Sequence, residues 1–509
     1  MRQNNRVIII GAGVGGLATA LALAAQGLEV KLFERAASPG GKMREVVVDG
    51  HPIDAGPTVF TMRWVFEELF ASCGTSLESE LGLSRAQVLA RHAWSDRERL
   101  DLFADVDRSA DAVARFSGLP ERARFLAFSK DASNIYRTLE GPFISSSRTN
   151  PLGLTARARR SGVLRGMWQI NPYTTLWQAL GKHFRDPRLQ QLFGRYATYA
   201  GSSPFLSPAT LMLIAHVEQE GVWLVDGGMH QLAIAMARLA QRNGAEIHYG
   251  AEVAEIMTRH GRATGIRLKG KDGAPIEADA VIVNADISAV GTGLFGAAVA
   301  RAVTPTPPKK RSLSALTWNV VADTAGFPLN RHSVFFSSDY AREFREIFDQ
   351  GRLPSEPTVY ICAQDRDALT GEDEGEASTP TRERERLLLL VNAPAVGDRQ
   401  TFAEGEVQAC KERTFKLLER CGLGILHEPD GIRATAPDQF ERLFPATGGA
   451  LYGRASHGWQ SSFARPGART KVPRLYLAGG STHPGAGVPM AALSGRQAAA
   501  AVLADLAKG

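Results

Sequence analysis

Residues 7–34 read VIIIGAGVGGLATALALAAQGLEVKLFE, and few folds accept such a run. The β-branched VIII is a short strand, and GAGVGG is a glycine turn. LATALALAAQG is a helix that stops near Gly27, and LEVKLFE is the next strand. Gly11, Gly13 and Gly16 occupy the three places of G-x-G-x-x-G. The first makes the tight turn, the second lets backbone approach a pyrophosphate, and the third lets helix and strand pack closely. The helix N-terminus then offers free N–H groups and its positive dipole end to the phosphates. Glu34 closes the second strand 21 residues after Gly13. A carboxylate there accepts hydrogen bonds from a ribose diol and repels a 2′-phosphate. The basic start and apolar middle also fit a secretory leader, but fixed glycine spacing fits strand, turn and helix better.

The stretch after Glu34 bears on which dinucleotide is held. ERAASPGGKMR (34–44) carries a second glycine pair, Gly40 and Gly41, then Lys42 and Arg44. A second close approach of backbone to ligand, with cations nearby, suits a longer molecule than NAD, one with a ribitol and a three-ring head. The alternative for both cations is a solvated surface position. In DAGPTVFTMR (54–63), Gly56 and Pro57 make a rigid turn, with Thr58 beside it, able to lie against a flat ring.

The far end of the chain answers the near end. RLYLAGGSTHPGAGVPMAALSGRQAAAAVLADL (474–506) reads as strand, glycine-rich loop and long helix. That helix starts near Val488 or Pro489, and proline suits a first turn. Its N-terminus would stabilise negative charge arising on a flavin ring, and Gly479, Gly480, Gly485 and Gly487 would let backbone crowd the ring edge. His483 is tempting as an acid or base, with a histidine held by backbone bonds as the plain alternative.

Between the ends, GVWLVDGGMHQLAIAMARLAQRNGAEIHYGAEVAEI (221–256) reads as a short strand, a helix over roughly 229–242 with an Asn243-Gly244 stop, and two strands. Residues 263–286 read as a hairpin around Asp272-Gly273 and a buried strand, VIV. Val253 stands where strand backbone could meet an adenine. TPTPPKKR (304–311) is a proline-rich connector, and the charged run GEDEGEASTPTRERER (371–386) reads as an exposed loop. The 509 residues exceed one core and predict two or three domains. A net charge of +6 over that length does not by itself imply nucleic acid. The four cysteines have neither C-x-x-C nor zinc spacing and read as reduced thiols of a cytosolic protein; no metal site is expected. No apolar run reaches the about 18–20 residues of a membrane span.

GAGVGGLA, ERAASPGGKMR, DAGPTVFTMR, GVWLVDGGMHQLA and YLAGGSTHPGAGVPMAALSG together resemble the bacterial carotenoid desaturases of the phytoene-desaturase type, in order and over nearly the whole chain. THPGAG followed by V-P is the most specific of these. GGALYGRASHGWQSSFARPG (448–467) is closer to the hydroxycarotenoid 3,4-desaturases, or methoxyneurosporene dehydrogenases. The resemblance implies an α/β fold: a glutathione-reductase-like, Rossmann-type FAD domain, discontinuous in sequence, with an α+β substrate domain. Residues 1–100, 225–303 and 446–509 would form the FAD domain, and 101–224 and 304–445 the substrate domain. It implies FAD-dependent removal of two hydrogens from a C–C bond of an acyclic, 1-hydroxylated carotenoid, with reoxidation by a quinone or oxygen. Cofactor positions carry over to Gly11, Ala12, Gly13, Gly16, Glu34, Arg35, Gly41, Lys42, Val253, Gly480, Val488 and Met490, with Pro57 and Thr58 at the turn.

No catalytic acid or base carries over. Glu218 in HVEQEGVW is the candidate proton acceptor, with His216 behind it; a plain interdomain polar residue is the alternative for each. Residues 145–168 hold five arginines, no acid and an interleaved apolar set ending in Trp168. Such a segment suits peripheral contact with the inner face of a membrane, where a carotenoid resides. Three rival readings remain: another reaction of the same family, a flavin amine oxidase, and a non-catalytic carotenoid-binding flavoprotein.

Overall fold

The computed structural model describes residues 5–147, 173–270, 273–366 and 379–508. Five parallel strands form one sheet, in the order Leu475–Leu477, Ala280–Val283, Arg6–Ile10, Glu29–Phe33, Glu246–His248. Three separate stretches of chain therefore build it. Its central strands are apolar on both faces, as a parallel sheet covered on both sides requires. Val7, Ile9, Ala280 and Ile282 enter one core, and Ile8, Ile10, Val281 and Val283 enter another. On the first side lie helices Val14–Ala24, His230–Arg242 and Val488–Leu506; on the second lies the antiparallel sheet Val253–Arg259, Arg262–Leu268 and Ile276–Glu277.

The N- and C-terminal helices touch through small residues. Thr19 Oγ1 donates to the Gly495 carbonyl at 3.1 Å, and a Cβ on Gly495 would collide with the Gly15 carbonyl oxygen. The expected helix at 229–242 is His230–Arg242, and Gly244 beyond it has φ +92°. The C-terminal helix starts at Val488, as the proline signal predicts.

The second sheet runs Leu423–Leu426, Ser314–Gly326, Thr379–Ala393, Val359–Ala363, His332–Phe335, Val88–Ala93, Arg99–Phe103, with Ile432–Thr435 also paired to Ser314–Gly326. Alternation sorts its faces. Leu316, Trp318, Leu387, Leu389 and Val391 pack against Cys410, Leu417 and Leu418 of helix Glu404–Arg420. Thr317, Leu388, Leu390 and Tyr360 face the other way, into a cavity. Helices Leu119–Leu139, Leu176–His183, Pro187–Gly194 and Leu213–Glu220 stack beyond it around Phe125, Phe128, Phe184 and Phe193.

Two expectations need correction. Strands Val88–Ala93 and Arg99–Phe103 pair within the second sheet, so that layer begins ahead of the expected boundary at residue 100. The run 371–386 is not a loop throughout: residues 379–386 belong to strand Thr379–Ala393. Charge is tolerated there because it is paired. Glu385 is buried and takes Arg366 Nε at 2.6 Å and Nη2 at 2.8 Å, while Arg386 binds Asp365 at 2.6 and 2.9 Å. Of the expected membrane-contact segment 145–168, residues beyond Ser147 lie outside the described residues. Among the described residues, no helix is long and apolar enough to cross a membrane.

Candidate active site

A cavity of about 1600 Å³ runs from the carboxyl ends of the parallel strands to the open face of the second sheet. Single-ligand pockets are typically about 300–1,000 Å³, so this one has room for two molecules end to end. The carboxyl edge is where ligands bind in open parallel sheets.

At that edge the two ends of the chain meet. Gly13 bridges to Gly40, whose N–H donates to the Ala12 carbonyl at 2.8 Å. A Cβ on Gly41 would lie 3.2 Å from Gly13 Cα. Asn284, just past the buried strand Ala280–Val283, donates from Nδ2 to the Gly11 carbonyl at 3.2 Å. A Cβ on Gly15 would come within 2.6 Å of Asn284 Oδ1 and 2.8 Å of Gly479 Cα. Asn284 thus sits between the first glycine turn and the last, a residue the sequence reading passed over. Its only signal was a polar residue directly after a wholly apolar strand.

The acid on the second strand is braced. Glu34 accepts the Ala12 N–H at 2.7 Å and the Ala36 N–H at 2.8 Å, one on each oxygen, and lines the cavity. Gly11, Gly13, Arg35, Gly41, Lys42, Pro57, Thr58, Val253, Gly480, Val488 and Met490 line it too. Ala12 and Gly16 do not line it. Ala12 is buried behind the turn, and a Cβ on Gly16 would collide with the Gly11 carbonyl oxygen. Both shape the turn rather than present a surface. Arg35 donates to the Arg442 and Leu443 carbonyls.

Lys42 donates to the Leu451 carbonyl at 2.6 Å, and burial pushes its ammonium down to about 8, opposed by Asp286 and assisted by Arg465. Arg465 is buried and donates to the carbonyls of Gly480 (2.8 Å), Tyr452 (3.0 Å) and Arg454 (2.7 Å). Burial pulls it down to about 10, with Asp286 opposing. A second cation therefore stands beside the C-terminal glycine loop. The sequence reading missed it, because a lone arginine in a polar stretch looks like surface. The Asp226-Gly227-Gly228 turn has a structural use: Asp54 accepts the N–H groups of Met229 (2.7 Å) and His230 (3.2 Å), and a Cβ on Gly228 would sit 2.6 Å from its Oδ2.

Farther along the cavity, Glu218 is buried and lines the wall. Tyr196 donates its hydroxyl to Glu218 Oε2 at 2.5 Å. Burial raises the Glu218 carboxyl above the usual range, while Tyr196, Arg195 and Tyr199 oppose that. His216 does not line the cavity; it turns to Glu220 at 3.2 Å, with its ring tilted against Tyr136. His483 follows the plain alternative, its Nε2 held by the Phe143 (3.0 Å) and Ser146 (2.6 Å) carbonyls. Tyr476 is buried in the parallel sheet and bonds Asp505 at 3.0 Å, whereas Trp459 lies on the cavity wall against Tyr173 and Phe463. They form no aromatic pair of the kind an amine oxidase would use.

Residues 14–503 match the family described as flavin containing amine oxidoreductase. The chain belongs to that family. A hydroxyneurosporene desaturase of Rubrivivax gelatinosus is 53% identical over 99% of this chain and 94% of its own length. A hydroxyneurosporene desaturase of Cereibacter sphaeroides is 43% identical, covering 99% and 98%. Among solved structures, an oxidoreductase from Methanosarcina mazei superposes with a TM-score of 0.57 at 17% identity, covering 98% of this chain and all of that one. A putrescine oxidase superposes at 0.56 with 15% identity, covering 99% of each chain. These two show the fold alone: a Rossmann-like parallel sheet joined to a curled substrate-side sheet. FAD is the family's cofactor, and the residues present fit it. Two bare glycine surfaces, two cations and a braced carboxylate stand at the carboxyl edge of the parallel sheet.

Proposed function

We propose that this chain is an FAD-dependent carotenoid desaturase acting in carotenoid biosynthesis on an acyclic, 1-hydroxylated carotenoid, with 3,4-desaturation as the reaction. The observation that supports it most is a cavity whose dinucleotide end continues into an apolar passage. Leu139, Phe143, Ile144, Leu211, Ile214 and Val217 line that passage, and such a wall suits a hydrocarbon chain without hydrogen-bonding groups. The close identity to named hydroxyneurosporene desaturases supports the substrate class.

Desaturation removes two hydrogens from adjacent carbons. One leaves with its bonding pair as hydride, the other leaves as a proton, and the remaining pair becomes the new π bond. FAD, when bound, supplies the two-electron acceptor. The chain's own part is to hold and orient. Gly11, Gly13 and Gly41 would offer backbone to the pyrophosphate, with Ala12 and Gly16 shaping that turn. Glu34 would hold the adenosine ribose, Val253 would meet the adenine, and Arg35 and Lys42 would bring charge. Pro57, Thr58, Gly480, Val488 and Met490 would form the ring end. The apolar walls exclude water and place the reacting bond. Glu218, buried beside the passage with its carboxyl raised, accepts the proton. Electrons then pass to a quinone or oxygen.

A division into a discontinuous FAD domain and a substrate domain belongs to this reading, with strands Val88–Ala93 and Arg99–Phe103 on the substrate side. So does peripheral contact with the inner face of a membrane through residues 145–168. The test is anaerobic incubation of flavin-loaded protein with hydroxyneurosporene. The expected result is a longer-wavelength carotenoid spectrum with matching loss of oxidised flavin absorbance. Flavin-loaded protein that changes neither spectrum refutes the assignment and points to a carrier. Vesicle flotation at low salt tests the membrane contact, and absence of co-migration rejects it.

A further inference from the structure

Among the described residues, a buried cation stands on the apolar passage. Arg195, 7% exposed, ends helix Pro187–Gly194 and lines the cavity. Its guanidinium lies 5.0 Å from the centre of the Tyr199 ring and 5.4 Å from that of Tyr360. Nη1 donates to the Tyr199 hydroxyl at 3.1 Å. A guanidinium has five N–H donors, and among the described residues this is its one hydrogen bond. Burying a cation is costly unless its charge and donors are met. Tyr199 and Glu218 oppose the effect of burial and hold Arg195 protonated. The donors remain to be met.

The surroundings are polar as well. Tyr360 shares its hydroxyl with Thr58 Oγ1 at 2.6 Å and His332 Nδ1 at 2.7 Å. Thr317 and Tyr360 both pair with Leu390, so they flank it on the cavity-facing side of the sheet. Thr317 Oγ1 is buried with no partner among the described residues. A hydrocarbon passing here would leave these groups unsatisfied, whereas a ligand oxygen would satisfy them.

We propose that Arg195, supported by Tyr199 and Tyr360, binds the oxygen carried at one end of the carotenoid and so sets which C–C bond reacts. This rests on the desaturase reading above. The distances agree with it. In a 1-hydroxylated chain the oxygen is separated from C3 and C4 by three and four bonds of about 1.5 Å, so it lies within about 5 Å of the reacting bond. A group that reads the oxygen must therefore stand beside the ring end of the cofactor site. Tyr360 does, being one hydrogen bond from Thr58 in the turn assigned to that ring. Because a guanidinium only donates, the oxygen is read as an acceptor.

The experiment compares hydroxyneurosporene with neurosporene, which lacks the hydroxyl, in two measurements. One is kcat/KM in the flavin-loaded protein. The other is equilibrium binding by tryptophan quenching in the dithionite-reduced holoenzyme, which cannot turn over. Wild-type protein should prefer the hydroxylated chain in both, by roughly 10- to 150-fold, the value of a hydrogen bond to a charged group. Arg195→Met should bring both ratios to within about threefold of unity. If Arg195→Met does not load flavin, Tyr199→Phe and Tyr360→Phe serve, each lowering both ratios by roughly three- to tenfold. A wild-type binding ratio near one overturns the proposal, as does an unchanged ratio in the variants or an equal loss with both carotenoids. Wild-type protein that binds the hydroxylated chain preferentially yet desaturates neither would refute the desaturase reading and leave the Arg195 contact standing.

Discussion

Glu34→Gln isolates the braced carboxylate at the end of the second strand. In the structure each oxygen takes one backbone N–H, from Ala12 at 2.7 Å and Ala36 at 2.8 Å. Glutamine keeps the shape but offers one carbonyl oxygen. Its amide nitrogen must face either an N–H of the turn or the ribose. A hydrogen bond to a charged group is worth about 1.5–3 kcal/mol. With one oxygen left to serve the turn, the ribose loses its charged acceptor, and FAD affinity should fall roughly 10- to 150-fold. The assay is titration of deflavinated protein with FAD, followed by flavin fluorescence. FMN, which lacks the adenosine, is the internal control and should lose much less than FAD. Unchanged FAD affinity would refute the reasoning, and so would an equal loss for FMN, which would place Glu34 in the scaffold of the turn alone.

Four further outcomes follow from the same geometry. Burial disfavours the charged form of Lys42 and pushes its ammonium down to about 8. Lys42 must regain a proton to pair with a pyrophosphate, so FAD affinity should fall as pH rises above about 8, and Lys42→Met should flatten that slope. Gly495→Val drives a side chain into the Gly15 carbonyl and Ala18; overpacking of this kind costs about 1–3 kcal/mol, read as a lower melting temperature together with reduced flavin retention. Glu385→Ala leaves Arg366 buried without its partner and should cost about 3–5 kcal/mol in denaturant unfolding, more than the double replacement Arg366→Met/Glu385→Leu. Glu218→Gln should lower turnover sharply at unchanged flavin content, and unchanged turnover would remove it as proton acceptor.

The terminal motifs could be read because their function is local: a strand, a turn and a helix start are written in consecutive residues. The Pro489 signal places the start of the last helix within a residue, and Asn243-Gly244 closes the helix at 230–242. What escaped is long-range. Asn284 matters because Gly11 and Gly479 arrive on either side of it, and neither neighbour is near it in sequence. Arg465 and Arg195 look like surface arginines until the chain folds carbonyls or aromatic rings around them. The charged residues 379–386 mislead for a related reason. Composition predicts solvent, but Glu385 finds Arg366 across the sheet, and a satisfied ion pair can be buried.

The contact between Thr19 and Gly495 joins residues 476 positions apart. At synthesis rates of about 5–20 residues per second, the N-terminal glycine turn waits roughly 25–100 s on the ribosome before its C-terminal partner emerges. Throughout that interval the part of the first helix that packs against Val488–Leu506 is uncovered, and the nascent chain has only part of a cofactor site. Completion of the cofactor site therefore waits for helix Val488–Leu506 to emerge. Cellular yield should respond to chaperone supply during elongation as strongly as to riboflavin supply after it.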